Sequence, residues 1–292
     1  MGLLEKAIFM SNDPQPTKFV LEHAPWSVSK ASAAAECPKK FWFSYIQKKK
    51  AGRTNSDAMV GKVVHKAVEY VLDGYPLAKA FDAVLVSNEL TTEEINRVQA
   101  FQPAVQHFIE KFKRYSERHN AQKPLIELRL AIDLDGNPVK FFDNKRGFLR
   151  GVLDLSCIFQ GTTNGLVLDH KTGKEHNLKY FQAQFNSYVW LLKASYPDLT
   201  GIQVGINFLK TDIVRFGQMY DVTSTDSIRN RMINYLNQAT QDTADFERTQ
   251  VSKLCNWCDH KGYCPAHTES GNGKENNKTE RTHSGTTMED MG

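Results

Sequence analysis

The stretch "GVLDLSCIFQGTTNGLVLDHK", residues 151–171, decides the fold. Two runs rich in Leu, Val and Ile flank the turn-rich "QGTTNG" at 160–165, a pattern that predicts two strands joined by a short hairpin. Each run carries charge where a buried strand should have none: Asp154 in the first, Asp169 and Lys171 in the second. An acid or a lysine inside an apolar strand needs a compensating partner. Carboxylates on neighbouring strand ends can share one hard divalent cation, because Mg²⁺ prefers oxygen ligands and retains waters for chemistry. Side chains alternate along a strand, so Lys171 falls on the same face as Asp169. Its ammonium could there orient a water or stabilise developing negative charge.

Reading outward, "LKYFQAQFNSYVWLLKASYP" predicts a helix with Phe181, Phe185, Val189 and Leu192 on one stripe. "GIQVGINFLK" and "IVRFGQMYDV" predict two strands meeting at Thr211-Asp212, and a last helix should run from about Thr225 to Thr240. On the other side, "LIELRLAIDLDG" alternates and then turns at Asp135-Gly136. The first 120 residues read as mostly helix. Ser27 or Ser29 caps a helix interrupted at Pro38, and "SDAMVGKVVHKAVEYVLDG" (56–74) puts Met59, Val63, Ala67 and Tyr70 on one face. Beyond Pro76, Thr91 or Thr92 offers a cap with Glu94 in the first turn.

Five parts are expected: an extension over 1–26, a helical region over 27–122, a mixed α/β core over 123–248, a cysteine segment over 249–267 and a disordered tail over 268–292. The 292 residues carry a formal net charge of +4, and the tail is acidic, so the body stands near +6, which mildly favours a polyanionic partner. No apolar run reaches the ~18 residues of a membrane span, and no signal peptide is recognisable, so a cytoplasmic site is expected, or a nuclear or organellar one after import.

In order, the chain contains "GKVVH" (61–65), Glu127 in "IELRL", "GVLD" (151–154), "LDHKTG" (168–173) and "QFNSY" (184–188). This series resembles the RecB-like branch of the PD-(D/E)xK nucleases, whose signature is a helical GxxxH, a strand Glu, a GxxD, a (D/E)xK and a helical QxxxY. The resemblance spans roughly residues 27–266 and implies a restriction-endonuclease-like core, a mixed sheet flanked by helices. It implies Asp154 and Asp169 as ligands of Mg²⁺ or Mn²⁺, Lys171 as the catalytic lysine, His65 as a ligand or neighbour of the metal and Glu127 as an accessory acid. Gln184 and Tyr188 would brace the site or touch the DNA backbone. Asp169 stands where many relatives have the longer Glu. The implied activity is metal-assisted hydrolysis of DNA, as an exonuclease on single strands or ends. A CRISPR-type end-trimming nuclease and a non-catalytic DNA-binding protein with a zinc clasp are the alternatives.

Three of the five cysteines crowd into "CNWCDHKGYC", residues 255–264. Cys255, Cys258 and Cys264 with His260 or His267 would make a local tetrahedral zinc site. With the distant Cys37 they make four thiolates, which suit zinc or an iron-sulfur cluster equally by ligand type. Here the resemblance extends to "AECPKKFWFSYI", similar to the N-terminal cysteine motif of iron-sulfur RecB-like nucleases, and to the spacing CxxCxxxxxC. It implies a [4Fe-4S] cluster on Cys37, Cys255, Cys258 and Cys264, clasping the two ends of the chain. Lys39, Lys40, Lys48, Lys49, Lys50 and Arg53, interleaved with Phe41, Trp42, Phe43 and Tyr45, suit contact with single-stranded DNA. The fifth cysteine, Cys157, is expected to be a buried small hydrophobe.

Overall fold

The structure, a computed structural model, describes residues 13–49, 55–243 and 251–269. Lys50, Arg53 and the expected disordered tail beyond 269 lie outside the described residues. A mixed sheet of five strands is ordered as in the sequence: β1 (Leu125–Ile132), β2 (Leu149–Ile158), β3 (Asn164–Lys171), β4 (Gly201–Phe208) and β5 (Ile213–Asp221). β3 and β4 run parallel; the other neighbours are antiparallel. A parallel pair needs a crossover, supplied by a short 3₁₀ turn, Leu178–Phe181, and a helix, Gln182–Ser195.

Helices cover both faces, so the central strands are apolar nearly throughout. Before the sheet come α1 (Lys18–Glu22), α2 (Val28–Glu36), α3 (Pro38–Phe41), α4 (Ser56–Leu72), α5 (Leu77–Val86), α6 (Thr92–Gln99) and α7 (Gln102–Arg118). The crossover is α8, and α9 (Asp226–Ala239) and α10 (Pro265–Glu269) follow. One core joins α2, α8 and α9 to the sheet through Ala31, Val189, Leu191, Val204 and Leu236. The second joins α4, α5 and α7 through Val64, Phe81, Phe108, Leu155 and Leu168.

Local signals account for several boundaries. Thr91 forms a capping box with Glu94, resolving the choice between Thr91 and Thr92, and Ser27 caps α2 through the backbone N–H of Lys30. Asp133 takes the N–H groups of Asp135 and Asn137 on one oxygen, fixing the turn that ends β1. After α3 the aromatic run winds into a π-helical turn, Trp42–Ile46. Phe41 and Phe43 are buried there, so these two rings serve the core rather than a stacking platform.

The described end of the N-terminal extension is tied in. Trp26 is fully buried, its backbone N–H donates to Phe148 O at 2.7 Å and its carbonyl accepts from Arg150 at 2.8 Å. The far end returns to the same region: His260 Nε2 lies 2.7 Å from Ser44 Oγ, and Tyr263 meets the Phe43 ring edge to face. Among the described residues, no helix is long and apolar enough to cross a membrane.

Candidate active site

β2 and β3 pair from Ile158 with Gly165 up to Leu155 with Leu168, and there the ladder stops. The backbone N–H of His170, two positions on, donates instead to the side chain of Asp154. On the other flank of β2, Ile126 pairs with Leu155 and Leu128 with Leu153, while Glu127 between them takes a left-handed φ of 50°. Leu153 therefore packs in one core and Leu155 in the other, although they are two residues apart. A local break in alternation of this kind re-aims side chains at functional sites. Glu127, Asp154 and Asp169, from three adjacent strands, lie within electrostatic reach of one another.

Asp169 is buried on the face toward α8. Its Oδ1 accepts from Gln184 Nε2 at 2.7 Å and from the Tyr188 hydroxyl at 2.9 Å. Gln184 Nε2 also donates to the Tyr188 oxygen at 2.6 Å. Residues four apart on a helix share a face, so the QxxxY spacing gives one carboxylate oxygen two donors. Burial, then the charge of Asp169, pushes the Tyr188 phenol far above its ordinary range and keeps it a donor. Oδ2 pairs with the Lys171 ammonium but receives no aligned hydrogen bond, leaving a buried carboxylate oxygen with capacity for another ligand.

Asp154 sits beside this group, and its carboxyl is pushed well above the usual range, first by burial and then by the charge of Asp169. Two like charges in a desolvated corner favour a proton or a cation between them. Mg²⁺ needs only one or two carboxylates, the rest of its shell being water, so the donor set fits such an ion. Among the described residues no three His, Cys, Asp or Glu side chains gather so as to hold a metal ion, so an ion here would rest on two carboxylates and water.

His65 arrives from the other layer. A Cβ on Gly61 would stand 3.0 Å from Thr172 Oγ1, so the glycine of GxxxH lets α4 lie close on the end of β3. One turn later His65 Nδ1 is 3.4 Å from Asp154 Oδ2, and burial lowers its pKa, which favours the neutral ring. Glu127 is half-buried, its carboxyl raised first by burial and next by Glu69. His65, Lys66, Glu69, Glu127 and Arg129 line one cleft of about 590 Å³. Gln184 and Tyr188 line another, of about 740 Å³, on the opposite face.

Two residues absent from the motif reading belong to this corner. Glu69, bonded to Lys66 at 2.6 Å, stands four residues after His65, a helical spacing that would have revealed it. His170 is buried between Phe108 and His65, its Nδ1 accepts from Asn207 Nδ2 at 3.0 Å, and its Nε2 has no partner among the described residues. Its position inside an apolar strand was the available signal.

The cysteines only partly converge. Burial raises the Cys258 thiol, with smaller contributions from Cys37 and Cys264, but among the described residues no three His, Cys, Asp or Glu side chains gather to hold a metal ion, so the expected four-thiolate clasp is not assembled. Cys255 turns its sulfur back to the N–H of Ser252 at 3.4 Å. His260 is not available as a local zinc ligand: one ring nitrogen faces Ser44 and the other the Tyr263 hydroxyl. Cys157 is buried as expected, its thiol pushed up to about 12 by desolvation. Of the basic run, Lys40 pairs with Glu36 at 2.8 Å and Lys49 lies over the Phe43 and Tyr263 rings. Lys48 is exposed, and Lys39 and Trp42 are partly exposed.

The profile of the PD-(D/E)XK nuclease superfamily matches residues 25–265. No curated protein matches the chain. Among solved structures, the chain resembles one called SSO0001, with 15% identity, a TM-score of 0.37 and coverage of 85% of this chain and 90% of that one. It also resembles a provisionally named exonuclease from Eubacterium rectale, with 12% identity, a TM-score of 0.42 and coverage of 89% and 93%. The profile match spans most of the described residues and agrees with the five-stranded mixed sheet and the paired aspartates. The chain belongs to the PD-(D/E)XK nuclease superfamily.

Proposed function

We propose that this nuclease hydrolyses DNA with one or two Mg²⁺ or Mn²⁺ ions held by Asp154 and Asp169, as a RecB-like exonuclease on single strands or ends. The observation that carries the reading is the buried Asp169: Oδ1 is fixed by Gln184 and Tyr188, while Oδ2 faces Lys171 with no aligned donor. A bound cation would polarise the scissile phosphate and ease deprotonation of the attacking water. The chain's own groups do the rest. Gln184 and Tyr188 hold the carboxylate in one orientation, as outer partners of metal ligands do. Lys171 stands where it can orient the water or neutralise charge on the phosphate. His65 stays beside Asp154 as a neutral ring, and Glu127 and Glu69 bring carboxylates to the adjoining cleft, which Lys66 and Arg129 also line.

The test is cleavage of end-labelled single- and double-stranded DNA with Mg²⁺ or Mn²⁺. Activity should vanish in EDTA and in Asp154→Ala, Asp169→Ala and Lys171→Ala; full activity in any of these variants would sink the assignment.

A second reading concerns the clasp. We infer that Cys37, Cys255, Cys258 and Cys264 hold a [4Fe-4S] cluster, with Zn²⁺ as the alternative. Support comes from the spacing of the four cysteines, from the electrostatic reach of Cys37 and Cys264 to Cys258, and from the engagement of His260 elsewhere. Cys255 would have to turn from Ser252. Phosphodiester hydrolysis needs no electrons, so the role is structural. Anaerobic purification should give a coloured, iron-containing protein, with iron lost in Cys37→Ser; a colourless zinc protein that keeps its metal in that variant would reject it.

A further inference from the structure

The connector between β1 and β2 holds a feature that the hydrolytic corner does not use. Phe142 is 70% exposed, yet it sits on a fixed turn. Asp143 accepts from the N–H groups of Lys145 and Arg146 at 3.1 and 3.0 Å and from Arg146 Nε at 2.9 Å. Phe141 packs edge to face against Phe142, centroids 5.1 Å apart, and Arg129 and Arg150 lie over the Phe141 ring at 6.0 and 5.7 Å. A single exposed aromatic is ordinary on a protein surface. Its surroundings are what matter here.

Phe142 and Arg150 line the 740 Å³ cleft whose far wall is Gln184 and Tyr188. The Tyr188 hydroxyl reaches through that wall to Asp169 at 2.9 Å. Arg150 makes no ion pair with a carboxylate among the described residues, and the one acid lining the cleft, Glu36, is already taken by Lys40 at 2.8 Å. Lys30, outside the lining, stands over the Trp26 ring at 4.6 Å and donates to the backbone carbonyls of His23 and Pro25. Burial, then the charge of Arg150, lowers its pKa to about 8. Along residues 139–150, Lys140, Lys145, Arg146 and Arg150 face a single acid, Asp143. Arg150 is thus the cation of the cleft without a carboxylate partner among the described residues, and a cation beside an exposed, fixed aromatic ring suits a single strand, by phosphate contact and base stacking.

We propose that this cleft is the cradle for the single-stranded DNA flanking the scissile phosphate, with Phe142 stacking on one base and Arg150 contacting the adjoining phosphate. The proposal rests on the reading of the chain as a DNA nuclease and adds the path of the strand. It also gives the QxxxY helix a second task, since one wall then aligns the strand and holds Asp169.

Binding in EDTA separates the cradle from the chemistry. A fluorescein-labelled oligothymidylate of 12 nucleotides is titrated with full-length protein and followed by anisotropy. Phe142→Ala should raise Kd about tenfold, and Phe142→Trp should restore it. Arg150→Gln should raise Kd and reduce the slope of log Kd against log salt by about 0.7, the loss of one single-strand phosphate contact. An abasic nucleotide scanned along the oligonucleotide should weaken the wild type at one position and leave Phe142→Ala unaffected there. Thermal melting checks that each variant folds. Wild-type Kd values in both variants, an unchanged salt slope for Arg150→Gln, or an effect on RNA but none on DNA would overturn the cradle. Normal binding effects in a protein that cleaves no DNA with Mg²⁺ or Mn²⁺ would overturn the hydrolytic reading alone.

Discussion

The N–H of His170 donates to Asp154 Oδ2 at 2.8 Å, at the step where β2 and β3 cease to pair. One carboxylate thus ends a ladder and faces the site. The two tasks separate by substitution. Asp154→Asn keeps an acceptor for His170 and should hold stability within ~1 kcal/mol, while cleavage falls by about 10²-fold or more. Asp154→Ala leaves the buried N–H without an acceptor and should also cost about 1–3 kcal/mol. Denaturant melts beside cleavage rates check this; equal stability of the two variants would show that the hydrogen bond matters little.

Tyr188 and Gln184 share Asp169 Oδ1, so removing one donor leaves the other. Tyr188→Phe should fold normally and lose about 10- to 100-fold in activity or metal affinity, the usual effect of an outer partner. Excess Mn²⁺ should recover part of the loss. A variant as active as the wild type at limiting metal would mean that Gln184 alone fixes the carboxylate.

Gly151, the glycine of GxxD, faces α8. A Cβ there would stand 2.9 Å from Leu191 Cδ1 and 3.7 Å from the Tyr188 ring. Leu191 is fully buried and has little room to yield. Gly151→Ala should therefore destabilise by about 1–3 kcal/mol, and activity should drop as Tyr188 moves. Chemical denaturation with the wild type alongside decides it.

Cys157 carries a thiol pushed from its ordinary 9 to about 12 by burial. Folding thereby suppresses its thiolate about a thousandfold, at one pKa unit per tenfold. A raised pKa adds stability that is complete below the ordinary value and lost as pH rises through the folded one, here between about 9 and 12. In mass-spectrometric alkylation at pH 8, Cys157 should remain unmodified until denaturant is added. Rapid native labelling would contradict the burial.

His260 joins Ser44 to Tyr263 across the two ends of the chain. His260→Ala removes both bonds and exposes the packing of Phe43. Residues 251–269 should become far more sensitive to limited proteolysis, while 125–221 stays resistant. Unchanged proteolysis would mean that the cysteine segment is held by other contacts.

The strands, the helices and the order of the five motifs were legible in the sequence because each rests on local alternation, capping or helical spacing. Gln184 and Tyr188 could be paired from their spacing alone, and Asp169 with Lys171 from strand alternation. The break at Glu127 could not be read, since a left-handed residue inside "LIELRL" has no local signature and exists only because two strands diverge around Asp154. Burial of Phe41 and Phe43 was hidden for the same reason: an aromatic run reads alike whether its rings meet a core or a ligand. His260, a candidate ligand by proximity to cysteines, is claimed by Ser44, 216 residues away.

What the sequence determined by itself is the inventory of chemistry: two acids and a lysine in apolar strands, and a helix able to present Gln184 and Tyr188 together. What only the tertiary structure decided is where that chemistry points. Asp154 meets Asp169 because β2 and β3 part between them, and His65 meets Asp154 because Gly61 lets α4 approach β3. Phe142 and Tyr188, from the β1–β2 connector and from α8, come to line one cleft. Such relations depend on the crossing of elements distant in the chain, and local propensity carries no information about them.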